Sequence, residues 1–186
     1  EELERYFKGA DYVFHLAGLA EIIPSIKNPK KYFANNVLGT LNVLEAAKKV
    51  KVKKFIYAAS SSCYGTPKKL PTSEKSKIDL KHPYAVTKFM GEDLVMKYAS
   101  IYNMPNISFR FFNVYGPRLN TSGQYSAVMG NFLEQIKKNK PLTVVGDGKQ
   151  TRDFIHVYDL VNAFLKTIKR RTVNEIFNLG SGKKTS

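Results

Sequence analysis

The chain has 186 residues and a formal net charge of +15, and 43% of its residues are hydrophobic. These values are typical of a globular protein long enough for one domain and part of another. No apolar run reaches the roughly 18 residues of a membrane span, and the charged stretch Glu1–Arg5 is unlike a secretory signal. A single cysteine, Cys63, excludes an internal disulfide, and no Cys/His cluster has metal-site spacing. We therefore expect a cytoplasmic protein without a metal ion or a membrane partner.

The positive charge comes mainly from lysine. Of the 30 basic residues 24 are Lys, and they occur in small groups spread along the chain, such as Lys30–Lys31 and Lys137–Lys138. Proteins that read nucleic acids depend on Arg for bidentate contacts and on aromatic side chains for stacking. We interpret the lysines as a solvated surface and expect no nucleic-acid partner. A basic cleft for a diphosphate substrate is the alternative.

Four short apolar runs predict buried strands. In chain order they are Asp11–Ala17, Lys54–Ala59, Ile107–Phe112 and Glu175–Leu179. Their hydrophobicity is nearly continuous, which is typical of strands covered on both faces of a parallel sheet. Helical patterns over residues 36–50 and 83–102 separate the first three runs. This alternation predicts a doubly wound α/β fold with a parallel, Rossmann-like sheet.

The pattern changes after Gly116-Pro117. Residues 118–126 read as a polar loop, and residues 128–138 follow as a helix. A glycine-rich turn covers residues 145–148, and a last helix is predicted over residues 157–168. The chain contains no internal repeat.

A tyrosine and a lysine lie four residues apart in the second predicted helix, as Tyr84 and Lys88. Residues with this spacing share one helix face, with Cβ atoms about 5–6 Å apart. An ammonium group beside a phenol stabilises the phenolate and lowers the phenol's pKa from about 10. Tyr84 is then a candidate base for a sugar hydroxyl. A surface aromatic–cation pair has the same spacing, so the pattern alone is weak.

A serine-rich segment follows the strand that precedes this helix. Ser60 and Ser61 come directly after Ala59, and ligands of open α/β sheets lie beyond the carboxyl ends of the strands. A hydroxyl there can hydrogen-bond the reacting oxygen and share its proton with Tyr84. The alternative is a turn that only caps the strand end. We favour the catalytic interpretation, because the tyrosine helix follows directly in the chain.

With these features, the chain resembles the extended short-chain dehydrogenase/reductase family, and within it the NAD-dependent epimerases and dehydratases of nucleotide sugars. The nearest pattern is that of UDP-glucose and UDP-N-acetylglucosamine 4-epimerases. The resemblance covers essentially the whole chain and depends on the order of its motifs. The matching stretches are His15–Gly18, Asn36–Thr40, Ser60–Gly65, Pro83–Lys88, Arg110–Arg118, Gly146–Gly148, Thr151–Asp159 and Asn178–Gly182.

The resemblance implies a role for each residue at a motif position. Tyr84 would be the catalytic base, Lys88 its tuner and the anchor of the cofactor ribose, and Ser60 the hydroxyl partner. The remaining cofactor-binding residues would be Leu16, Ala17, Gly18, Asn36 and Phe112. The substrate would be held by Ser60, Ser61, Asn113 and Arg152. Arginine suits a diphosphate because its planar fork makes charge-assisted hydrogen bonds, although Arg152 could instead form a salt bridge with Asp153 or Asp147.

The resemblance also implies a reaction. Dehydratases of this family usually carry acidic residues where this chain has Ser-Ser-Ser-Cys, so a C4 epimerase that uses NAD and a UDP-sugar is favoured. It implies an incomplete dinucleotide-binding domain over residues 1–117, to which residues 153–181 partly return, and part of a substrate domain over residues 118–186. The family's glycine-rich turn is absent, so we expect the chain to be a fragment that is truncated at its N-terminus. Helices 36–50 and 83–102 would form a homodimer.

Several alternatives stay open on the sequence. The same scaffold could support sugar-nucleotide dehydrogenation, decarboxylation or uronate epimerisation. A non-catalytic cofactor-binding or RNA-binding relative would fit the net charge of +15. The sugar, the nucleotide base and the choice between NAD and NADP are not determined by these residues.

Overall fold

The structure is a computed structural model that describes residues 3–67, 69–119, 128–144, 146–170 and 174–186. Its helices and strands alternate along the chain. In order they are α1 (Glu4–Phe7), β1 (Tyr12–His15), α2 (Ile22–Lys27), α3 (Pro29–Tyr32), a π-helical turn (Phe33–Leu38), α4 (Gly39–Lys49), β2 (Lys54–Ser60), a 3-10 turn (Ser61–Tyr64), α5 (Pro83–Tyr102), β3 (Asn106–Phe111), β4 (Asn113–Tyr115), α6 (Val128–Lys137), β5 (Phe154–His156), α7 (Val157–Lys169) and β6 (Glu175–Leu179).

Four strands form one parallel sheet, in the order β1-β2-β3-β6. The sequence prediction of a parallel sheet is confirmed, and all four predicted strands belong to it. The central strand β2 is buried from Lys54 to Ala59. A strand covered on both faces needs apolar side chains pointing both ways, which explains why the run in the sequence is continuous and does not alternate.

Helices cover both faces of this sheet, as a doubly wound fold requires. On one face α4 and α5 pack against Phe55 and Tyr57 of β2. On the other face Leu160 and Phe164 of α7 pack against Ile56 of β2 and its neighbours on β3. Successive residues of β2 thus point into opposite layers, because side chains alternate across a strand.

A second, two-stranded parallel sheet pairs β4 with β5, and the sequence pattern did not predict it. Each strand has three residues, too few for a periodic signal. The pairing joins Asn113 to Phe154 and so brings the segment after β3 beside the segment that contains Arg152. Most of the predicted polar loop at 118–126, and residue 145 of the glycine-rich turn, lie outside the described residues.

Helix α5 carries the tyrosine–lysine pair and has clear local boundaries. Pro83 opens the helix, and the ring nitrogen Nδ1 of His82 accepts a hydrogen bond from the backbone N–H of Ala85. The helix ends at Asn103, which adopts the left-handed conformation with φ of 51° that favours asparagine. Among the described residues, no helix combines the length and the apolar character needed to cross a membrane.

Candidate active site

The predicted site residues converge on the rim formed by the carboxyl ends of the sheet. The segment 16–18 follows β1 and is exposed, Ser60 ends β2, and Phe112 follows β3. Because the three strands are parallel neighbours, their carboxyl ends lie side by side. This is the edge at which open α/β sheets bind their ligands.

Ser60 and Tyr84 lie together at this rim. The Ser60 hydroxyl lies close enough to the Tyr84 phenol to lower its pKa against the effect of burial, and it accepts a hydrogen bond from the backbone N–H of Ser62, which caps the 3-10 turn. The backbone N–H of Tyr84 donates to the hydroxyl of buried Ser25 at 3.1 Å. The His82 ring stacks parallel to the Tyr84 ring with centroids 5.9 Å apart. Ser60 of the sheet therefore lies beside the phenol, whereas Ser25 of α2 holds the backbone at the start of the helix.

The protein side chains raise the pKa of the Tyr84 phenol, where the sequence analysis expected a lowered value. Burial of the phenol is the main cause, and the hydrogen bond from Ser60 opposes it. The spacing of tyrosine and lysine is visible in a sequence, whereas the desolvation of the phenol is not. The phenol is consequently protonated near neutral pH under the influence of the protein side chains alone.

Lys88 lies one helical turn after Tyr84 and is buried, with 7% of its surface exposed. Its Nζ atom is 4.5 Å from the centre of the Tyr57 ring, a cation–π contact. Burial lowers the pKa of Lys88 to about 8, and the nearby Glu92 carboxylate opposes this. Among the described residues, no acceptor takes a hydrogen bond from its ammonium group. Its donors are thus available to a ligand.

Asn36 joins the cofactor-side loop to the catalytic helix. Its side chain accepts a hydrogen bond from Leu19 N–H at 2.8 Å, and its amide group donates to the Leu19 carbonyl at 3.0 Å and to the Thr87 hydroxyl at 3.0 Å. Thr87 in turn donates to the Tyr84 carbonyl. With 1% of its surface exposed and both amide hydrogens donated, Asn36 lies behind the loop. The sequence interpretation, a contact to the cofactor, stays a prediction.

The proposed diphosphate ligands lie on the second sheet and beside it. Asn113 is exposed and donates from its side chain to the Asp153 carbonyl at 2.8 Å. Arg152 is exposed, and its backbone pairs with Thr185. The Asp153 carboxylate accepts hydrogen bonds from Ser181, from its N–H at 2.7 Å and its hydroxyl at 2.8 Å, and from the Gly182 N–H at 2.8 Å. The alternative salt bridge between Arg152 and Asp153 is therefore not formed.

Phe112 and Ser61 are partly buried at the same rim. The backbone N–H of Phe112 donates to the Leu179 carbonyl at 2.9 Å, which fastens it to the end of β6. Gly180, the residue after β6, has no room for a side chain. A Cβ atom there would lie 2.7 Å from the Asp153 carboxylate and 3.2 Å from the Phe112 ring.

Four residues that support the site were not found from the sequence: Ser25, Tyr57, His82 and Thr87. His82 lies two residues before Tyr84, and Thr87 lies between Tyr84 and Lys88, so the capping position and the helix spacing of the motif could have identified them. Ser25 and Tyr57 come from other elements, and no local pattern marks them. Only the packing of α2 and β2 against α5 brings them to the site.

Comparisons with known proteins agree with this geometry. The family model described as "NAD dependent epimerase/dehydratase family" matches residues 1–180. A putative UDP-glucose 4-epimerase of Methanocaldococcus jannaschii is 36% identical over 181 residues, which is 97% of this chain and 58% of that protein. The chain belongs to the NAD-dependent epimerase/dehydratase family.

Solved structures give the same result. UDP-N-acetylglucosamine 4-epimerase from Methanobrevibacter ruminantium, in complex with UDP-N-acetylmuramic acid, superposes with a TM-score of 0.96 at 32% identity, over 100% of this chain and 59% of that one. UDP-glucuronic acid 4-epimerase from Bacillus cereus, in complex with UDP-glucuronic acid and NAD, gives 0.90 at 33% identity, over 100% and 59%. The chain thus spans a little over half the length of these relatives.

Proposed function

We propose that the protein is an NAD-dependent epimerase that inverts C4 of a nucleotide-diphospho-sugar, with a UDP-sugar as the favoured substrate. The observation that carries the proposal is the meeting of three groups at the carboxyl rim of the sheet. The Ser60 hydroxyl lies beside the Tyr84 phenol and lowers its pKa, and Lys88 follows Tyr84 by one helical turn. The relatives described above include 4-epimerases of several UDP-sugars.

The residues around Lys88 fit a cofactor with a ribose and a nicotinamide. Gly18 lies beside the ammonium group, since a Cβ atom at that position would lie 3.1 Å from Asn36 Oδ1 and 3.6 Å from Lys88 Nζ. The ammonium has donors available for ribose hydroxyls, because no described residue accepts from it. Leu16, Ala17 and Phe112 would line the remaining faces. Oxidised nicotinamide, when bound, supplies a hydride acceptor and a positive charge that favours a phenolate nearby.

In the proposed reaction, Tyr84 takes the proton of the sugar's C4 hydroxyl while the C4 hydrogen leaves as hydride, so a 4-keto sugar forms. Ser60 donates a hydrogen bond to the reacting oxygen and keeps it beside the phenol. Lys88 offsets the charge of the phenolate. The keto sugar then rotates in the pocket. The hydride returns to the opposite face of C4, and Tyr84 returns the proton. Asn113 and Arg152 would hold the diphosphate during this turn.

Tyr84→Phe in the natural full-length protein tests the proposal. The change removes the proton acceptor and keeps the ring, so we expect kcat to fall by about 10²–10⁴-fold, the usual contribution of general acid–base catalysis. Tyr102→Phe is a matched control on the same helix, because Tyr102 is 48% exposed and lies at the far end. Epimerisation by the Tyr84 variant at the control's rate would refute the mechanism.

The assay uses product analysis with UDP-, GDP- and dTDP-sugars. Net oxidation, loss of CO₂ or inversion at a uronate would each select one of the other reactions of this scaffold. Absence of turnover together with RNA binding at physiological salt would favour the non-catalytic alternative.

We further propose a homodimer through α4 and α5. Apolar side chains occur all round α5, which is typical of a helix that is buried on both sides. Its inner side packs on the sheet, while Met90 on the outer side is 40% exposed and Val86 and Phe89 are partly exposed. A second copy of the same pair of helices is the occupant that would cover this surface.

A further inference from the structure

A buried charged network lies next to the proposed active site. It consists of Glu92 on α5, Arg110 on β3 and Tyr64 in the 3-10 turn, which are 2%, 4% and 2% exposed. Glu92 stands one turn after Lys88 on the same helix face, and Tyr64 ends the turn that begins directly after Ser60. The network therefore includes the helix of Tyr84 and Lys88 and the turn that follows Ser60.

The ion pair at its centre has a bidentate geometry. Arg110 Nη2 lies 2.6 Å from Glu92 Oε1, and Arg110 Nε donates to both carboxylate oxygens at 3.1 Å and 3.0 Å. The Ser108 hydroxyl donates to Glu92 Oε2 at 3.0 Å. A planar guanidinium that meets a carboxylate in this way fixes both position and orientation. Helix α5 is thus locked to β3 at one point along its length.

The other side of the guanidinium holds the serine turn. Arg110 Nη1 donates to the Tyr64 hydroxyl at 2.7 Å and to the Glu74 carbonyl at 3.2 Å. The Tyr64 hydroxyl then donates to the side-chain oxygen of Asn178 on β6 at 2.7 Å. One arginine therefore connects the catalytic helix, the turn after Ser60 and the last strand of the sheet.

We propose that Glu92, Arg110 and Tyr64 form a positioning network that keeps the helix of Tyr84 and Lys88 in register with the turn of Ser60, and that Glu92 is also the counter-charge of the Lys88 ammonium. All three are buried, and we assign none of them to substrate binding, so they act through the catalytic groups. A buried ion pair contributes little net stability against apolar replacements, and its best-supported role is to specify one arrangement. The proposal rests on the proposed epimerase reaction.

Among the groups near Lys88, Glu92 is the one whose negative charge stabilises the ammonium. The titratable groups that act on the ammonium or lie against it are His15 of β1, Tyr57 of β2 and Glu92 of α5. Tyr84 precedes Lys88 by one helical turn, and Arg110 of β3 is paired with Glu92. Burial raises the pKa of Tyr57, and that of Tyr84, so both phenols are neutral near pH 7. Burial and Lys88 itself lower the pKa of His15, which is neutral as well. Glu92 is the group that raises the pKa of Lys88 against its burial.

The first experiment compares Tyr64→Phe with Tyr98→Phe in the full-length enzyme with NAD. Tyr98 is a matched control, because its buried hydroxyl on the same helix bonds Glu45 of α4 and does not reach the network. We expect Tyr64→Phe to lower kcat about tenfold with little change in KM, since a small misplacement of catalytic groups slows chemistry more than binding. Equal kcat values for the two variants would overturn the positioning role. Tyr64→Phe keeps the ion pair, so this test does not depend on a variant with an unpaired buried charge.

The second experiment tests the counter-charge with Glu92→Gln. Wild-type activity should fall above about pH 8, where Lys88 loses its proton. Without the Glu92 carboxylate, the protonated form of Lys88 is less stable and its pKa falls. The pH above which activity decreases should therefore be lower by about one unit, as expected for removal of a nearby opposite charge. Titration of Lys88 Nζ by NMR should show the same displacement without any substrate. An unchanged NMR titration would overturn the counter-charge role, and wild-type protein without epimerase activity would instead overturn the proposed function.

Discussion

We predict that the protein loses folding stability in acid because of His15, the last residue of β1 and a neighbour of Lys88. His15 is 6% exposed, and its Nε2 atom is 2.9 Å from the Thr40 hydroxyl oxygen. Thr40 donates its own hydrogen to the Asn36 carbonyl at 2.6 Å, so Nε2 must be the donor to the Thr40 hydroxyl. Burial lowers the pKa of His15 to about 4, and the Lys88 charge adds to this effect.

The direction and size of this pH effect on stability follow from the pKa of His15 in the unfolded and the folded chain. His15 titrates near 6.5 in the unfolded chain and about 4 in the folded one, so the unfolded state binds the proton more tightly. The stabilising contribution is complete above pH 6.5, decreases as the pH falls, and is lost near pH 4. The difference corresponds to about 3 kcal/mol in the free energy of unfolding.

The measurement compares wild type with His15→Gln, which keeps a donor near the Thr40 hydroxyl and does not titrate. Urea unfolding of the full-length protein, followed by circular dichroism, gives the free energy of unfolding between pH 4 and 7.5. The wild-type value relative to the variant should fall by about 3 kcal/mol over this range. Parallel pH dependences of the two proteins would refute the reasoning, since other titrating groups are common to both.

Two further predictions concern Tyr57 and the proposed dimer. A Cβ atom on Gly91 would overlap the Tyr57 hydroxyl and displace the ring beneath Lys88, so Gly91→Ala should lower kcat about tenfold. Gly39→Ala, whose Cβ meets nothing closer than 3.8 Å, should keep full activity and raise the free energy of unfolding by up to about 1 kcal/mol. In analytical ultracentrifugation Met90→Glu should convert the dimer to monomers, whereas Tyr6→Glu, on a residue that is 70% exposed on α1, should leave it intact. A dimeric Met90→Glu variant would place the interface elsewhere.

The sheet could be predicted because each of its strands has a strong local signal. The apolar run from Lys54 to Ala59 is continuous because β2 is covered on both faces. The second sheet has no such signal, since β4 and β5 have three residues each and pair across about forty residues of chain. The helix predicted over residues 36–50 begins inside the π-helical turn Phe33–Leu38, three residues before α4, and the short helices α2 and α3 were not predicted.

The chemistry of the site could be predicted only in part. Tyr84 and Lys88 lie on one helix, so their spacing alone brings them together, and Ser60 was found because it ends a strand. The state of these groups depends on burial, which spacing does not reveal: the phenol's pKa is raised, and the Asn36 side chain is used inside the protein.

The availability of Lys88 depends on how Glu92 is paired. A carboxylate one helical turn from a lysine would usually bind it directly, and the ammonium would then have fewer donors for a ligand. Here Arg110 and Ser108 occupy the carboxylate oxygens instead, while the ammonium lies against the face of Tyr57. Glu92 therefore stabilises the charge of Lys88 from a distance without occupying its hydrogens. The network thus leaves a charged lysine with open hydrogen-bonding capacity at the rim where a cofactor ribose would lie.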